Sequence, residues 1–157
     1  MPTIFKTDIY REKLKINNKI LIKYILNLKR KEPKGRHLSN PTGWQSFDLN
    51  LKEEILTNLC REISQHVLRY AKSMSLKGHF RMKSMWANVI HSHGGSVISG
   101  VYYLKLPQES GNIVFMNPAV DGIDYLWENV IEQFTEANCG TWKLQNQDND
   151  LVLFPSW

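Results

Sequence analysis

His91 and His93 stand one residue apart in the run WANVIHSHGGSVISGVYYLKLP, residues 86–107. Alternate residues of a strand share a face, so the two imidazoles would point the same way and Ser92 the other. Two imidazoles converging from one strand can fill two positions of a transition-metal ion. An H-x-H pair by itself is weak evidence for a metal, because two polar residues at a strand end beside a glycine turn give the same pattern. Gly94-Gly95 reverses the chain, and 97–106 is rich in β-branched and aromatic residues, as a following strand would be. Tyr102 and Tyr103 fall on opposite faces of that strand. His37 and His79 have no partner at ligand spacing, and His66 reads as a partly exposed helix histidine.

The elements that must position these residues follow from periodicity. A short strand is expected over 3–10, then a helix over 19–30 capped by Asn17-Asn18, with Ile20, Leu21, Tyr24, Ile25 and Leu28 inward. Lys29, Arg30 and Lys31 suit its C-terminal dipole, and Pro33 and Gly35 end it. A loop over 33–49 keeps two large residues, Trp44 and Phe47, as expected anchors. Trp44 and Gln45 either plug the edge of the core or form a substrate-side wall. A long helix is expected over 50–74, with Asn50 and Glu53 as a capping box and Leu51, Ile55, Leu59, Ile63, Val67, Tyr70 and Met74 as its inward stripe. Strands are expected over 81–90, 97–106, 111–116, 141–144 and 151–154, and a helix over 124–137. Strands following paired helices make an α+β domain with an antiparallel β-core. Pattern alone leaves a sandwich, a jelly roll or an open sheet.

With 157 residues the chain has room for one domain with a real core. It contains no run of 18 apolar residues and no apolar signal-peptide core, so the expectation is a cytoplasmic protein without a membrane partner. Cys60 and Cys139 read as free thiols in a reducing compartment. The net charge of +5 is uneven: residues 1–36 hold 11 Lys/Arg against 3 Asp/Glu. Such asymmetry can mark contact with nucleic acid or another polyanion. No aromatic stacking pattern interleaves the lysines, which favours a solvated helix face over nucleic acid.

Four separated blocks resemble the 2-oxoglutarate/Fe(II) oxygenases of the prolyl-hydroxylase-like type. They are Ser39-Asn40-Pro41-Thr42-Gly43-Trp44-Gln45-Ser46; Trp86-Ala87-Asn88 with His91-Ser92-His93, Ser96 and Ser99-Gly100-Val101-Tyr102-Tyr103-Leu104; Ser110 to Pro118; and Leu151-Val152-Leu153-Phe154-Pro155-Ser156-Trp157. The resemblance implies a distorted double-stranded β-helix (jelly-roll, cupin-like) core over 79–157, braced by a strand and helices over 1–78, as one domain. It implies Fe(II), 2-oxoglutarate as cosubstrate, and ascorbate as an accessory reductant. It places His91 as the first iron ligand and His93 where the wider superfamily has aspartate, as a ligand or a supporting group. Tyr103 would donate to the distal carboxylate of 2-oxoglutarate or serve as a core aromatic, and Asn88 and Ser99 would orient the cosubstrate. Gly94 departs from the family's usual proline, and the interval from Trp86 to His91 is short. His93-Gly94-Gly95 also fits the H-x-G of a halogenase-type variant, although the spacing to SGVYYL suits His91 as first ligand.

The family's distal histidine and 2-oxoglutarate-binding arginine follow the FPSW block, whereas here the chain ends at Trp157. The expectation is an inactive oxygenase, shortened at its C-terminus and lacking the last strands of its core. A non-catalytic β-helix binding module and a polyanion-binding protein using the basic N-terminal region are the alternatives. The substrate, a small molecule or a peptide, is not legible.

Overall fold

The computed structural model describes residues 7–36, 44–87, 96–108, 110–118 and 130–156. The chain divides into two units, one made of residues 1–105 with 148–157 and the other of residues 106–147.

The first unit begins with strand β1 (Tyr10–Lys13) and helix α1 (Asn18–Lys31). Asn17 takes an extended conformation, and its side-chain oxygen accepts from the Lys19 N–H at 3.2 Å, so the cap is as expected. The strand expected over 3–10 is displaced: among its described residues only Tyr10 is in a strand. Long-range pairing decides this, because β1 exists only where it meets the last strand of the chain. On α1, Leu21 is buried but Ile20 is 62% exposed, correcting the inward role expected of it.

Helix α2 (Glu54–Ser73) starts later than its expected capping box. Asn50 instead closes a turn before it, accepting from Lys52 N through its side chain and from Glu53 N through its carbonyl. At the other end Ser75 takes a left-handed φ of 56°. Leu76 N then donates to Ala71 O and Ser75 N to Lys72 O, the paired bonds of a Schellman stop with serine in glycine's usual place. The buried stripe is Leu56, Leu59, Ile63, His66, Tyr70 and Ala71, rotated from the expected one.

The rotation puts His66 inside, at 6% exposure, which overturns its reading as a partly exposed residue. Its Nδ1 lies 2.7 Å from the Tyr10 hydroxyl, and the Tyr70 hydroxyl donates to the Asp8 carbonyl. Burial, and next Arg69, lower the His66 pKa; Glu12 and Glu62 oppose them. The folded chain therefore favours neutral His66, with its Nδ1 hydrogen-bonded to the phenol. Unfolded histidine titrates near about pH 6.5. This contribution to stability is complete above that pH and is lost as the pH falls toward the lower folded value, because the unfolded chain binds the proton more readily. Urea unfolding of the wild type should show this decline, and His66→Gln should flatten it between about pH 7 and pH 5. An unchanged pH slope in the variant would place the acid sensitivity elsewhere.

The remaining strands of the first unit are β2 (Ile98–Tyr102) and β5 (Asp150–Pro155). They form a three-stranded antiparallel sheet in the order β1-β5-β2. Leu151 and Leu153 of β5 cluster with Leu14, Leu21, Leu56, Leu59, Ile63 and Tyr70, so one sheet face packs on the helices. No strand occupies 81–87, the described part of the strand expected over 81–90.

The bend leading into β5 is held by Asn149, which has a left-handed φ of 70°. Asn149 N donates to Tyr103 O at 2.7 Å and Tyr103 N to Asp150 O at 2.9 Å, so two residues of one strand oppose one of the other in a bulge. The Asn149 side chain donates to the carbonyls of Leu14 (3.1 Å) and Ile16 (2.7 Å). Its oxygen accepts from Asn18 Nδ2 at 2.9 Å. Asn18 Nδ2 also reaches Leu104 O at 2.6 Å, and Asn18 Oδ1 accepts from the Tyr102 hydroxyl at 2.8 Å. This network joins the start of α1, the end of β2 and the bulge through partly buried polar groups that satisfy one another.

The second unit contains the antiparallel pair β3 (Ile113–Met116) and β4 (Thr141–Leu144), with Phe115 opposite Trp142. The helix expected over 124–137 is absent from 130–137, its described part, which forms turns and bends. Val130 and Phe134, which such a helix would carry on one side, are 73% and 69% exposed. Thr135 N instead donates to the Asn138 side chain at 2.6 Å, local bonding that competes with a helix.

A candidate active-site face

Residues directly paired across an antiparallel ladder share a face. Tyr10, Ile98 and Tyr102 lie against the helix-side core with Leu151 and Leu153. The register Ser99↔Phe154, Val101↔Val152, Arg11↔Val152 and Lys13↔Asp150 therefore assigns these residues to the opposite face. That face is not a wet surface: Val152 is 0% exposed, Asp150 3% and Ser99 6%.

Three polar features mark it. The Ser99 and Ser156 hydroxyls are 2.6 Å apart. Arg11 donates to Asp150 Oδ2 from Nε at 3.1 Å and Nη2 at 2.6 Å. Tyr103 follows β2 and continues its ladder onto Asp150 and Asn149. The Tyr103 pKa is raised, chiefly by burial and then by the Asp150 charge, with Arg11 opposing. The phenol accordingly stays protonated at neutral pH and can donate a hydrogen bond. Of the expected cosubstrate residues, buried Ser99 and half-buried Tyr103 thus share one sheet face. Asn88, His91 and His93 lie outside the described residues. Among the described residues, no group of three or more His, Cys, Asp or Glu is arranged to hold a metal ion.

The expected wall, Trp44 and Gln45, sits where residues 32–36, 44–49 and 85–87 meet. Ser46 N donates to Ala87 O and Ala87 N to the Ser46 hydroxyl, each at 3.0 Å, and Leu49 N donates to Met85 O at 2.7 Å. Trp44 Nε1 donates to Glu32 O at 2.8 Å. Gln45 is 1% exposed. Its surroundings orient the amide so that the oxygen accepts from Trp86 Nε1 and Arg36 Nη2, each at 3.2 Å. Phe47 is 54% exposed, so it is not the second anchor expected of it.

Arg36 is the organising residue that sequence reasoning missed. Its guanidinium carbon lies 5.7 Å from the Trp86 ring centroid, its Nη1 is 3.0 Å from Asp48 Oδ1, and its N–H donates to Gln45 O at 2.7 Å. Gly35 makes the approach possible: its φ is +57°, and a Cβ there would run into the Gln45 carbonyl and the Trp44 ring. The available signal was a Gly-Arg pair just past a helix end, beside a loop containing a glutamine that needs donors once buried.

The family model described as "Putative 2OG-Fe(II) oxygenase" matches residues 79–157, which include the two histidines, Ser99, Tyr103 and strands β2 to β5. The chain belongs to this oxygenase family, whose name carries iron and 2-oxoglutarate. No curated protein matches the chain. Cys60 and Cys139 are both free thiols, and no helix among the described residues is long and apolar enough to cross a membrane.

Proposed function

We propose that the chain is an Fe(II)- and 2-oxoglutarate-dependent dioxygenase of the hydroxylase type. The carrying observation is the family match over 79–157, a span that holds His91, His93 and Tyr103. In this reading 1–157 is one oxygenase domain with a jelly-roll core over 79–157, braced by the strand and helices of 1–78. The antiparallel β1-β5-β2 sheet backed by α1 and α2 supports it. His91 and His93 would hold the metal, and Tyr103, Asn88 and Ser99 would orient the cosubstrate. Bound Fe(II) would supply a site where dioxygen is reduced with 2-oxoglutarate as co-reductant, one oxygen atom entering a C–H bond of a small-molecule or peptide substrate and the other ending in succinate as CO2 is lost.

The chain's own contribution is orientation and dryness. A protonated, half-buried Tyr103 suits an anionic carboxylate, because a phenol partly withdrawn from water donates a stronger hydrogen bond to a charged acceptor. The Ser99–Ser156 pair uses one hydroxyl hydrogen internally and leaves one to donate outward. Gln45, held by Arg36 and Trp86, and Trp44, held by the Glu32 carbonyl, would form a wall on the substrate side. Free thiols accord with a reducing cytoplasm.

The test is Fe(II)-dependent conversion of 2-oxoglutarate to succinate, with ascorbate present to keep the iron reduced. Tyr103→Phe should raise the KM for 2-oxoglutarate by about tenfold, the worth of one hydrogen bond to a charged group, with kcat less affected. Failure of the wild-type chain to bind 2-oxoglutarate in an Fe(II)-dependent way would overturn the reading.

A further inference from the structure

Helix α1 carries Lys19, Lys23, Lys29, Arg30 and Lys31 and no acidic residue. All five are exposed, and none is ion-paired with a described residue. Lys19, Lys23, Leu26 and Arg30 recur at i, i+4, i+7 and i+11, so they form one line along the face opposite the buried Leu21. The line is about 16 Å long, at 1.5 Å per residue. Leu26 stands in its middle at 50% exposure, and Ile20 flanks it at 62%.

We propose that this line is a docking surface for an acidic amphipathic helix of another protein. Its spacing is that of a helix–helix seam, and its chemistry is three cations around an exposed leucine. The matching partner places Asp or Glu opposite Lys19, Lys23 and Arg30 and an apolar residue over Leu26. Charge complementarity supplies orientation and encounter rate, and burial of Leu26 supplies the apolar anchor. A nucleic-acid backbone fits less well, because phosphates gain nothing from exposed Leu26 and Ile20. The one aromatic residue of α1, Tyr24, is half-buried and hydrogen-bonded to Glu53. A lipid surface also fits less well, because interfacial helices sink a broad apolar face and that of α1 is turned inward.

The experiment is fluorescence anisotropy with a labelled synthetic peptide whose glutamates and leucines follow the 3–4 spacing. The comparison probes are a scrambled peptide of equal composition, a duplex RNA and phosphatidylserine-containing vesicles. The helical peptide is expected to bind at least about tenfold more tightly than the scrambled one. The double variant Lys23→Glu, Arg30→Glu should cost a further factor of about ten or more. Leu26→Ser should weaken binding without changing its salt dependence, since no charge is lost. These positions face solvent, so thermal melts of the variants should match the wild type, and turnover of 2-oxoglutarate should be untouched. Equal binding of the scrambled peptide, or binding of RNA or vesicles but not of the peptide, would overturn the proposal. So would no binding by any probe, or an indifferent Leu26→Ser.

Discussion

His91→Ala is expected to lower Fe(II)-dependent turnover of 2-oxoglutarate at least about 100-fold, because even residues that only support a metal ligand cost 10–100-fold when removed. The physical reason is the small number of protein groups on the metal. An iron that must keep positions open for cosubstrate and dioxygen cannot spare an imidazole, and water does not replace its directed lone pair. His93→Ala separates two roles. A loss as large as that of His91→Ala marks a second ligand, and a loss of about tenfold marks a group that orients the first. Fe(II) affinity measured anaerobically, beside succinate formation, distinguishes failure to hold metal from failure to use it. Wild-type turnover in His91→Ala would mean that iron is held by other residues, and the assignment of the H-x-H pair would fall.

Asn149→Ala should have the largest effect on stability, about 3–4 kcal/mol. Alanine in the left-handed region costs about 1 kcal/mol, and each lost hydrogen bond of the buried network costs about 1 kcal/mol. The carbonyls of Leu14 and Ile16 lose their side-chain donor together, and the Asn18 amide loses one of its two acceptors. Asn149→Gly keeps the bulge but not the network, so it should cost roughly 1 kcal/mol less. For a chain of this size the alanine variant should melt about 10 °C below the wild type. Thermal melts of both variants check this. Equal melting of Asn149→Gly and the wild type would show that Asn149 matters only through its backbone angle.

Different kinds of information made different parts of this molecule legible. Periodicity gave away α1 with its Asn17 cap, because a helix closes its bonds within the segment and its signals are local. Strands β2 to β5 were close to expectation because β-branched and aromatic runs bounded by turns mark them. β1 was misplaced because Arg11, Glu12 and Lys13 are poor strand signals. They pair only because β5 lies beside them and Asp150 receives Arg11. The helix expected over 124–137 is absent from its described part, 130–137, for the converse reason: a periodic apolar pattern predicts burial, but Val130 and Phe134 are left exposed.

The candidate site divides along the same line. Residue types and spacing by themselves raised the H-x-H pair and the strand after it only weakly, the resemblance of four separated blocks pointed to an oxygenase, and the match over 79–157 places the chain in the oxygenase family. Chemistry carried on one short segment is readable in this way because alternation on a strand is a property of the backbone. Only the tertiary structure put Arg11 and Asp150 on one sheet face with Ser99 and Tyr103. It alone made Arg36 the support of Gln45 and Trp86, and His66 a neutral partner of Tyr10. These pairings join residues up to 139 apart in sequence. Which polar group must find which partner is settled by what is buried beside it, and burial is a property of the packed chain rather than of any stretch of it.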